Sequence, residues 1–254
     1  MTIDPGSSRP DGSSGPYRST RLIPLRERLI FALDVPTTDE ARRLVDELGD
    51  SVLVYKLGLE IFMAGGYYEL VEWLCQRDKK VFVDLKFFDV PQTVASAVRQ
   101  LRGRGVSFAT VHGNDQMLAA AVGAKDETLR ILAVTVLTSL DQHDIDALGF
   151  RTNVADLVLS RARRALSIGC DGVISSGLEA KRLREELGTG FLVVVPGIRP
   201  VLNRIEDDQK RTVDVEQAFL NGADCIVVGR PIRDAPDRRQ AAEGIQTTIA
   251  RLFG

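Results

Sequence analysis

Short apolar runs rich in β-branched residues recur along the chain, and longer polar stretches with one apolar face separate them. This pattern predicts a strand at each run and a helix in most of the intervening stretches. The predicted strands are 29–34, 51–57, 80–87, 107–112, 130–138, 171–175, 191–196 and 224–229. The predicted helices include one that begins at a capping box formed by Thr37 and Glu40, followed by 66–77, 92–102, 153–167, 177–187, 213–221 and 238–252.

The alternation of strand and helix predicts βαβ units and a parallel sheet. Eight such units in about 230 residues predict a single-domain α/β fold, the (β/α)8 TIM barrel. An open doubly wound sheet is the alternative, although its Gly-x-Gly-x-x-Gly signature does not follow the first strand. Residues 1–21 are dominated by polar residues, Gly and Pro, so we expect a disordered tail there and a barrel domain over 22–254.

Composition limits which partners the protein is expected to bind and which cell compartment it is expected to occupy. Lys and Arg number 33 against 35 Asp and Glu, so the net charge of −2 gives no attraction to nucleic acid or to an anionic membrane. No apolar run approaches the roughly 18 residues that span a bilayer, and no signal-peptide pattern opens the sequence. The three cysteines are widely spaced without a CxxC pair, which predicts neither disulfides nor a metal site. We therefore expect a cytoplasmic protein.

The third predicted strand carries charges on one face. Its period of two places Val81, Val83, Leu85 and Phe87 towards the helices and Phe82, Asp84 and Lys86 towards the barrel interior. Chemistry in this fold takes place where the strands end, and Asp34 and Lys56 stand at the ends of the first two strands. A purely structural ion pair is the alternative, but buried pairs are often no more stabilising than apolar packing. Asp89 follows on the loop and could face its own site or another subunit.

The last two predicted strands end in glycine and arginine. Gly197 and Arg199 follow the seventh strand, and Gly229 and Arg230 follow the eighth. Loops at these two places form the usual phosphate site of the fold, where glycine allows close approach and arginine offers paired donors. The long polar connection 201–211 predicts a lid. Together these features indicate a phosphorylated ligand.

Six short motifs, in this order over about 29–252, resemble the orotidine 5′-phosphate decarboxylase family. They are Ala32-Leu33-Asp34, Lys56-Leu57-Gly58, Asp84-Leu85-Lys86-Phe87-Phe88-Asp89-Val90-Pro91-Gln92-Thr93, Leu137-Thr138-Ser139, Pro196-Gly197-Ile198-Arg199-Pro200 and Val228-Gly229-Arg230-Pro231-Ile232. The Asp-x-Lys-x-x-Asp core alone is similar to that of related phosphosugar enzymes. The Leu-Thr-Ser element, the loop around Arg199 and Gln209 narrow the resemblance to the orotidylate family.

The resemblance implies conversion of orotidine 5′-monophosphate to uridine 5′-monophosphate and CO2, the last step of pyrimidine synthesis, without a cofactor. It implies Lys86 as the proton donor to C6 and Asp84 as the carboxylate beside the departing one. Lys56 and Asp89 would complete an alternating Lys-Asp-Lys-Asp array. The implied substrate contacts are Asp34 and Lys56 for the ribose, Thr138 and Ser139 for the pyrimidine, and Arg199, Gln209, Gly229 and Arg230 for the phosphate. It also implies a homodimer in which Asp89 and Thr93 enter the neighbouring subunit's site.

The sequence departs from the family pattern at two places. Phe88 stands where many family members carry histidine, and the run 111–115 replaces a Gly-rich one.

One alternative function is a magnesium-dependent phosphosugar decarboxylase or aldolase of the same superfamily. The other is an inactive nucleotide-binding barrel, against which the complete set of charges argues. His112 is expected to be structural, and Cys225 is expected to be a buried, inert thiol.

Overall fold

Eight parallel strands pair in chain order, and the last pairs with the first, in the computed structural model, which describes residues 17–198 and 211–254. The strands are β1 (Leu29–Ala32), β2 (Val54–Leu57), β3 (Lys80–Phe87), β4 (Val106–Val111), β5 (Arg130–Val134), β6 (Gly172–Ile174), β7 (Leu192–Val195) and β8 (Cys225–Val228). The sheet therefore closes, which confirms the predicted (β/α)8 barrel and rules out the open sheet.

Helices follow the strands in sequence. Within the described residues they are α1 (Thr38–Leu48), α2 (Leu59–Met63), α3 (Tyr67–Cys75), α4 (Pro91–Arg99), α5 (Asp115–Ala124), α6 (Gln142–Ala147), α7 (Val154–Ile168), α8 (Ala180–Leu187), α9 (Val215–Leu220), α10 (Arg230–Arg233) and α11 (Arg238–Phe253). Each named helix prediction is confirmed to within a few residues, and Thr37 Oγ1 accepts the Glu40 backbone N–H at 3.2 Å. No helix in the described part is long and apolar enough to cross a bilayer.

Several strands end earlier than the apolar pattern predicts. β1 stops at Ala32 and β5 stops at Val134, two and four residues before the predicted ends. The residues beyond them stay buried, as Leu33 and Val136 show with 0% and 2% exposure. The sequence pattern reports burial, and burial continues after the hydrogen-bonded ladder has ended.

The core has two layers, one inside the barrel and one between the barrel and the helices. Phe82 and Phe108 belong to the inner layer and pack edge to face, with ring centroids 5.9 Å apart. Val81 and Val83 belong to the outer layer. This arrangement confirms the two predicted faces of β3. The polar residues that share a face with Phe82 therefore point into the barrel.

Residues 17–21 contact the base of the barrel, at the amino ends of the strands. The Tyr17 backbone N–H donates to the Leu220 carbonyl at 2.5 Å, and the Ser19 hydroxyl donates to the Asp224 carboxylate. Residues 17–21 thus belong to the folded unit, and the predicted tail boundary at residue 21 is too late. The apolar pattern misses this segment because its contacts are polar. Residues 1–16 lie outside the described part.

A buried ion pair lies at the same base. Arg184 on α8 and Asp224 at the start of β8 approach to 2.6 Å, and both side chains have at most 1% exposure. The guanidinium also donates to the Gly222 and Phe191 carbonyls, and the carboxylate accepts the Val193 N–H at 2.8 Å. Each charge is therefore paired and hydrogen-bonded, as burial of a charge requires.

Candidate active site

A cavity of about 340 Å³ opens at the carboxyl ends of the strands. The predicted site residues that line it are Asp34, Lys56, Asp84, Lys86, Thr138, Ser139, Gly229 and Arg230. They come from the ends of β1, β2, β3 and β8 and from the loop after β5, and only barrel closure brings segments so distant in sequence together. The cavity thus collects charged groups at the rim where this fold carries its chemistry.

Four side chains form an alternating row of charges, which we call the charged row. Lys56 Nζ lies 3.3 Å from Asp34 Oδ1 and 3.3 Å from Asp84 Oδ2, and Lys86 Nζ lies 3.0 Å from the same Asp84 oxygen. The side chains of Lys56 and Asp84 are only 12% and 11% exposed. Each charge therefore has an opposite charge beside it, and the two central groups are poorly hydrated, whereas Asp34 and Lys86 are 38% and 34% exposed.

Asp89 and Thr93 lie outside the charged row of their own chain. Asp89 is exposed on the loop after β3, where its Oδ1 accepts the Val90 backbone N–H at 2.6 Å. Thr93 is exposed on α4, and neither residue lines the cavity. Within one subunit, the fourth charge of the row is supplied by Asp34 rather than by Asp89. A role for Asp89 and Thr93 in a neighbouring subunit stays a prediction.

The environment of Lys56 favours its charged form. Burial alone would lower the pKa of the ammonium group, but Asp84 and Asp34 outweigh burial and raise the pKa above its ordinary value. Both carboxylates attract the ammonium and hydrogen-bond to it. Lys56 is therefore positively charged at neutral pH, and so it can hold two carboxylates in place.

Gly58 lies close to the charged row. It follows Lys56 in the turn from β2 into α2. A Cβ atom at this position would lie 3.0 Å from Asp34 Oδ1 and 3.3 Å from Lys56 Nζ. A larger residue would therefore require the Asp34 and Lys56 side chains to shift by a few tenths of an ångström.

The backbone of β3 is irregular where it carries the charges. The register between β3 and β4 shifts between Val83 and Phe87. Lys86 within this bulge has a φ of +49°, in the left-handed region. This backbone conformation is about 1–2 kcal/mol less favourable for a non-glycine residue, and strain of this kind clusters at functional sites. The bulge directs the Lys86 side chain to the same cavity as Asp84.

The loops after β7 and β8 form the wall of the cavity next to the end of β1. This wall is lined by Gly197, which has a φ of +74°, by Gly229, and by Arg230 at the start of α10. Arg233 also lines it and donates to the Asp34 carbonyl at 2.9 Å. We did not predict Arg233, although its spacing of three from Arg230 would place both on one side of a helix.

Arg199, Gln209 and most of the predicted lid 201–211 lie outside the described residues. Arg211, at the end of this connection, is buried, and its guanidinium donates to the Glu179 carboxylate at 2.6 Å and to the Leu137 carbonyl at 3.0 Å. Its backbone N–H donates to the Thr138 carbonyl at 3.3 Å. Arg211 therefore fixes the end of this connection to the segment carrying Thr138 and Ser139.

His112, which follows β4, is partly buried, with its ring centroid 5.7 Å from that of Phe88. Burial lowers the pKa of His112, and the positive charges of Arg161 and Lys86 lower it further. The imidazole is therefore neutral at pH 7. This environment agrees with the expected structural role.

The stability of the protein should fall as the pH drops below about 6.5, the ordinary pKa of histidine. In that window the unfolded chain binds a proton at His112 that the folded chain resists, so the free energy of unfolding rises with pH. Thermal unfolding followed between about pH 8 and pH 5 should show a weaker pH dependence for His112→Gln than for the unsubstituted protein. His143→Gln, at an exposed position on α6, is the control and should change nothing. Equal slopes for His112→Gln and the unsubstituted protein would contradict this role for His112.

Among residues 17–198 and 211–254, no three His, Cys, Asp or Glu side chains gather into a set that could hold a metal ion. The cavity carboxylates Asp34 and Asp84 are instead paired with lysine. That the reaction needs no metal or cofactor stays a prediction.

A sequence model of the "Orotidine 5′-phosphate decarboxylase / HUMPS family" matches residues 27–245. The chain belongs to this family. It is 62% identical to orotidine 5′-phosphate decarboxylase of Methylococcus capsulatus, over 93% of this chain and 98% of that one. It is 51% identical to the enzyme of the same name from Stenotrophomonas maltophilia, over 90% of this chain and 95% of that one.

A solved structure gives the same result. The crystal structure of orotidine 5′-phosphate decarboxylase from Lactobacillus acidophilus matches with a TM-score of 0.77 and 35% identity, over 88% of this chain and 99% of that one. The match to the family covers the barrel from before β1 into α11. Every described strand that contributes to the cavity thus lies inside the family region.

Proposed function

We propose that this protein decarboxylates orotidine 5′-monophosphate to uridine 5′-monophosphate and CO2, the final step of de novo UMP synthesis. The observation that carries the proposal is the charged row of Asp34, Lys56, Asp84 and Lys86 in one cavity. The names of the relatives support it and disfavour the phosphosugar alternative. A volume of about 340 Å³ is within the range of small-molecule sites.

Fixed charge would supply the catalysis. Loss of CO2 from this ring leaves a carbanion at C6 whose lone pair lies in the ring plane, outside the π system. An ammonium group aimed at C6 gains attraction as the negative charge develops, which is differential binding of the transition state. Two unit charges 4 Å apart interact by about 4 kcal/mol at an effective dielectric of 20, or roughly a thousandfold in rate. Lys86 is the group we assign to this role.

The proton that replaces CO2 would come from the same lysine. Lys86 Nζ donates a proton to C6, which gives the C–H bond of the product, and water then returns a proton to the amine. Asp84 holds the ammonium at 3.0 Å and would lie beside the departing carboxylate. Lys56 shares the same Asp84 oxygen and keeps this carboxylate in place.

The remaining residues would hold the nucleotide. We assign Asp34 and Lys56 to the ribose hydroxyls and Thr138 and Ser139 to the pyrimidine. The phosphate would bind Gly229 and Arg230, together with Arg199 and Gln209 from outside the described part. Contacts to the distant phosphate hold the ring in register with Lys86, and such positioning is a large part of enzymatic rate enhancement.

A spectrophotometric assay tests the activity. The absorbance of the orotate ring should fall when purified protein is added to orotidine 5′-monophosphate, and EDTA should leave the rate unchanged. Unchanged absorbance at high enzyme concentration would contradict the proposal. Turnover of a phosphosugar that EDTA abolishes would support the magnesium-dependent alternative instead.

We also propose that the protein works as a homodimer joined at the cavity rim. Large apolar side chains are exposed in the segments after β2, β3 and β5, and single exposed apolar residues are common but groups of them mark interfaces. They are Leu59, Phe62, Met63, Phe88, Val90, Leu148 and Phe150. A second cavity of about 900 Å³, lined by Phe88, Leu148 and Phe150, lies beside the active site. Asp89 stands between Phe88 and Val90, where a second copy would bury it.

Mixing two inactive variants should restore activity if Asp89 serves the neighbouring subunit. In a mixed dimer of Lys86→Ala and Asp89→Ala, one site then carries both substitutions and the other carries neither. Random subunit exchange makes about half of the dimers mixed, so the rate per site should reach about a quarter of the unsubstituted value. Lys86→Ala mixed with Asp84→Ala is the control and should stay inactive, because both residues serve the site of their own chain. No recovery in the first mixture would contradict the shared site.

We propose a cytoplasmic location and no nucleic-acid or membrane partner. Cys75, Cys170 and Cys225 are free thiols, as expected in a reducing compartment. Burial raises the pKa of Cys225 to about 12, which agrees with an inert thiol. The net charge of −2 gives no general attraction to polyanions.

A further inference from the structure

Thr110 on β4 has no exposed surface and points into the barrel. Its neighbour two residues earlier, Phe108, belongs to the inner core layer, whereas Ala109 and Val111 belong to the outer layer. A strand alternates its side chains between faces, so Thr110 shares the inner face with Phe108. This position lies directly beside the irregular part of β3.

The first hydrogen bond of the Thr110 hydroxyl holds the strained backbone of Lys86. Thr110 Oγ1 accepts the Lys86 backbone N–H at 2.9 Å. The register shift between β3 and β4 occurs around Lys86, and a side-chain oxygen is the acceptor that this N–H uses there. Since Lys86 has a φ of +49°, the bond helps to keep a backbone conformation that lysine rarely adopts.

The second hydrogen bond orients the Asp84 carboxylate. The Thr110 hydroxyl donates to Asp84 Oδ1 at 2.8 Å. This leaves Asp84 Oδ2 facing the two ammonium groups, with Lys56 at 3.3 Å and Lys86 at 3.0 Å. A single hydroxyl therefore fixes both the direction of the carboxylate and the backbone of the lysine that it holds.

We propose that Thr110 is a positioning residue for the decarboxylation, acting through Asp84 and Lys86 and not by touching the nucleotide. Thr110 is absent from the cavity lining, which supports an indirect role. The inference rests on the proposed function, because it assumes that Lys86 delivers the proton to C6. A small displacement of a reacting group costs a large factor in rate, so the loss of this support affects the chemical step.

Only a hydroxyl fits both bonds. It accepts and donates at the same atom, which an amide or a carboxylate oxygen does not do. The β-branch of threonine also restricts χ1 and so reduces the positions open to the hydroxyl. Serine keeps both hydrogen bonds, and valine keeps the shape but has neither.

The test compares Thr110→Val with Thr110→Ser. We expect kcat of Thr110→Val to fall about 100-fold while KM stays within about twofold, because the groups that bind ribose and phosphate are untouched. Thr110→Ser should keep kcat within about threefold. The rate is expressed per site that binds uridine 5′-monophosphate in a titration, so unfolded protein does not count as slow enzyme. If Thr110→Val does not fold, Thr110→Cys replaces it, since a thiol is a weak donor and acceptor.

Two controls separate the possible failures. Thr135 is also fully buried, but its hydroxyl donates only to the Ile174 carbonyl at 2.8 Å, so Thr135→Val should lower the melting temperature without lowering kcat. Lys86→Ala tests the proposed function itself, and turnover in that variant would overturn both claims. An inactive Lys86→Ala together with an unchanged kcat in Thr110→Val would overturn the positioning role alone. Equal losses in Thr110→Val and Thr110→Ser would also overturn it.

Discussion

Lys86→Ala is expected to lose turnover by at least about 10⁴-fold while still binding uridine 5′-monophosphate. The variant removes both the ammonium that attracts the developing carbanion and the proton that replaces CO2. The phosphate and ribose contacts lie elsewhere in the cavity, so nucleotide binding should survive. Steady-state rates measured by the absorbance assay, with calorimetric titration of the nucleotide, test the two halves of this expectation.

The matched control is another lysine of the same strand. Lys80 stands at the other end of β3 and pairs with Glu27 at 2.5 Å, so Lys80→Ala should keep full turnover. Lys86→Arg divides the two roles, because arginine keeps the charge but does not give up its proton. It should stay far below the unsubstituted rate. Near-native turnover in Lys86→Ala would refute the role assigned to Lys86.

Arg184→Met is expected to reduce the free energy of unfolding by about 3–5 kcal/mol. Asp224, with 0% exposure, would lose the guanidinium paired with its carboxylate, because the nearby Arg28 donates to the Asp224 backbone carbonyl instead. The Gly222 and Phe191 carbonyls would each lose the donor that Arg184 provides. Urea unfolding followed by circular dichroism measures this loss.

A neighbouring arginine on the same helix provides the comparison. Arg182 pairs with Asp156 at 2.7 Å, but the two side chains are 40% and 48% exposed, so Arg182→Met should cost less than about 1 kcal/mol. Arg184→Met combined with Asp224→Asn should recover part of the loss, because the amide leaves no unpaired charge. Equal losses of unfolding free energy in Arg182→Met and Arg184→Met would show that burial does not determine how much these ion pairs contribute to stability.

The barrel could be predicted from sequence because each strand and helix has a local pattern. β3 was predicted with its observed ends, and its two faces carry the expected residues. The charged side chains could be placed at the rim because the fold fixes where strands end. Lys56, Asp84 and Lys86 therefore reach one cavity as expected.

The contacts between segments could not be predicted in the same way. Nothing in the local pattern shows that Thr110 bonds to both Asp84 and Lys86, because this depends on a register shift between two strands. The sequence places Arg211 in a polar connection, yet its side chain is buried and donates a hydrogen bond to Glu179. Polar residues buried by non-local partners leave no periodic signal in a sequence.

The buried pair of Arg184 and Asp224 and the charged row occupy opposite ends of the barrel. The first joins α8 to the start of β8, and the second lies where β1, β2 and β3 finish. Heat resistance and reactivity can therefore be engineered separately. Substitutions that tighten the amino-terminal end of the barrel should prolong the working life of the enzyme at high temperature without altering how fast it turns over.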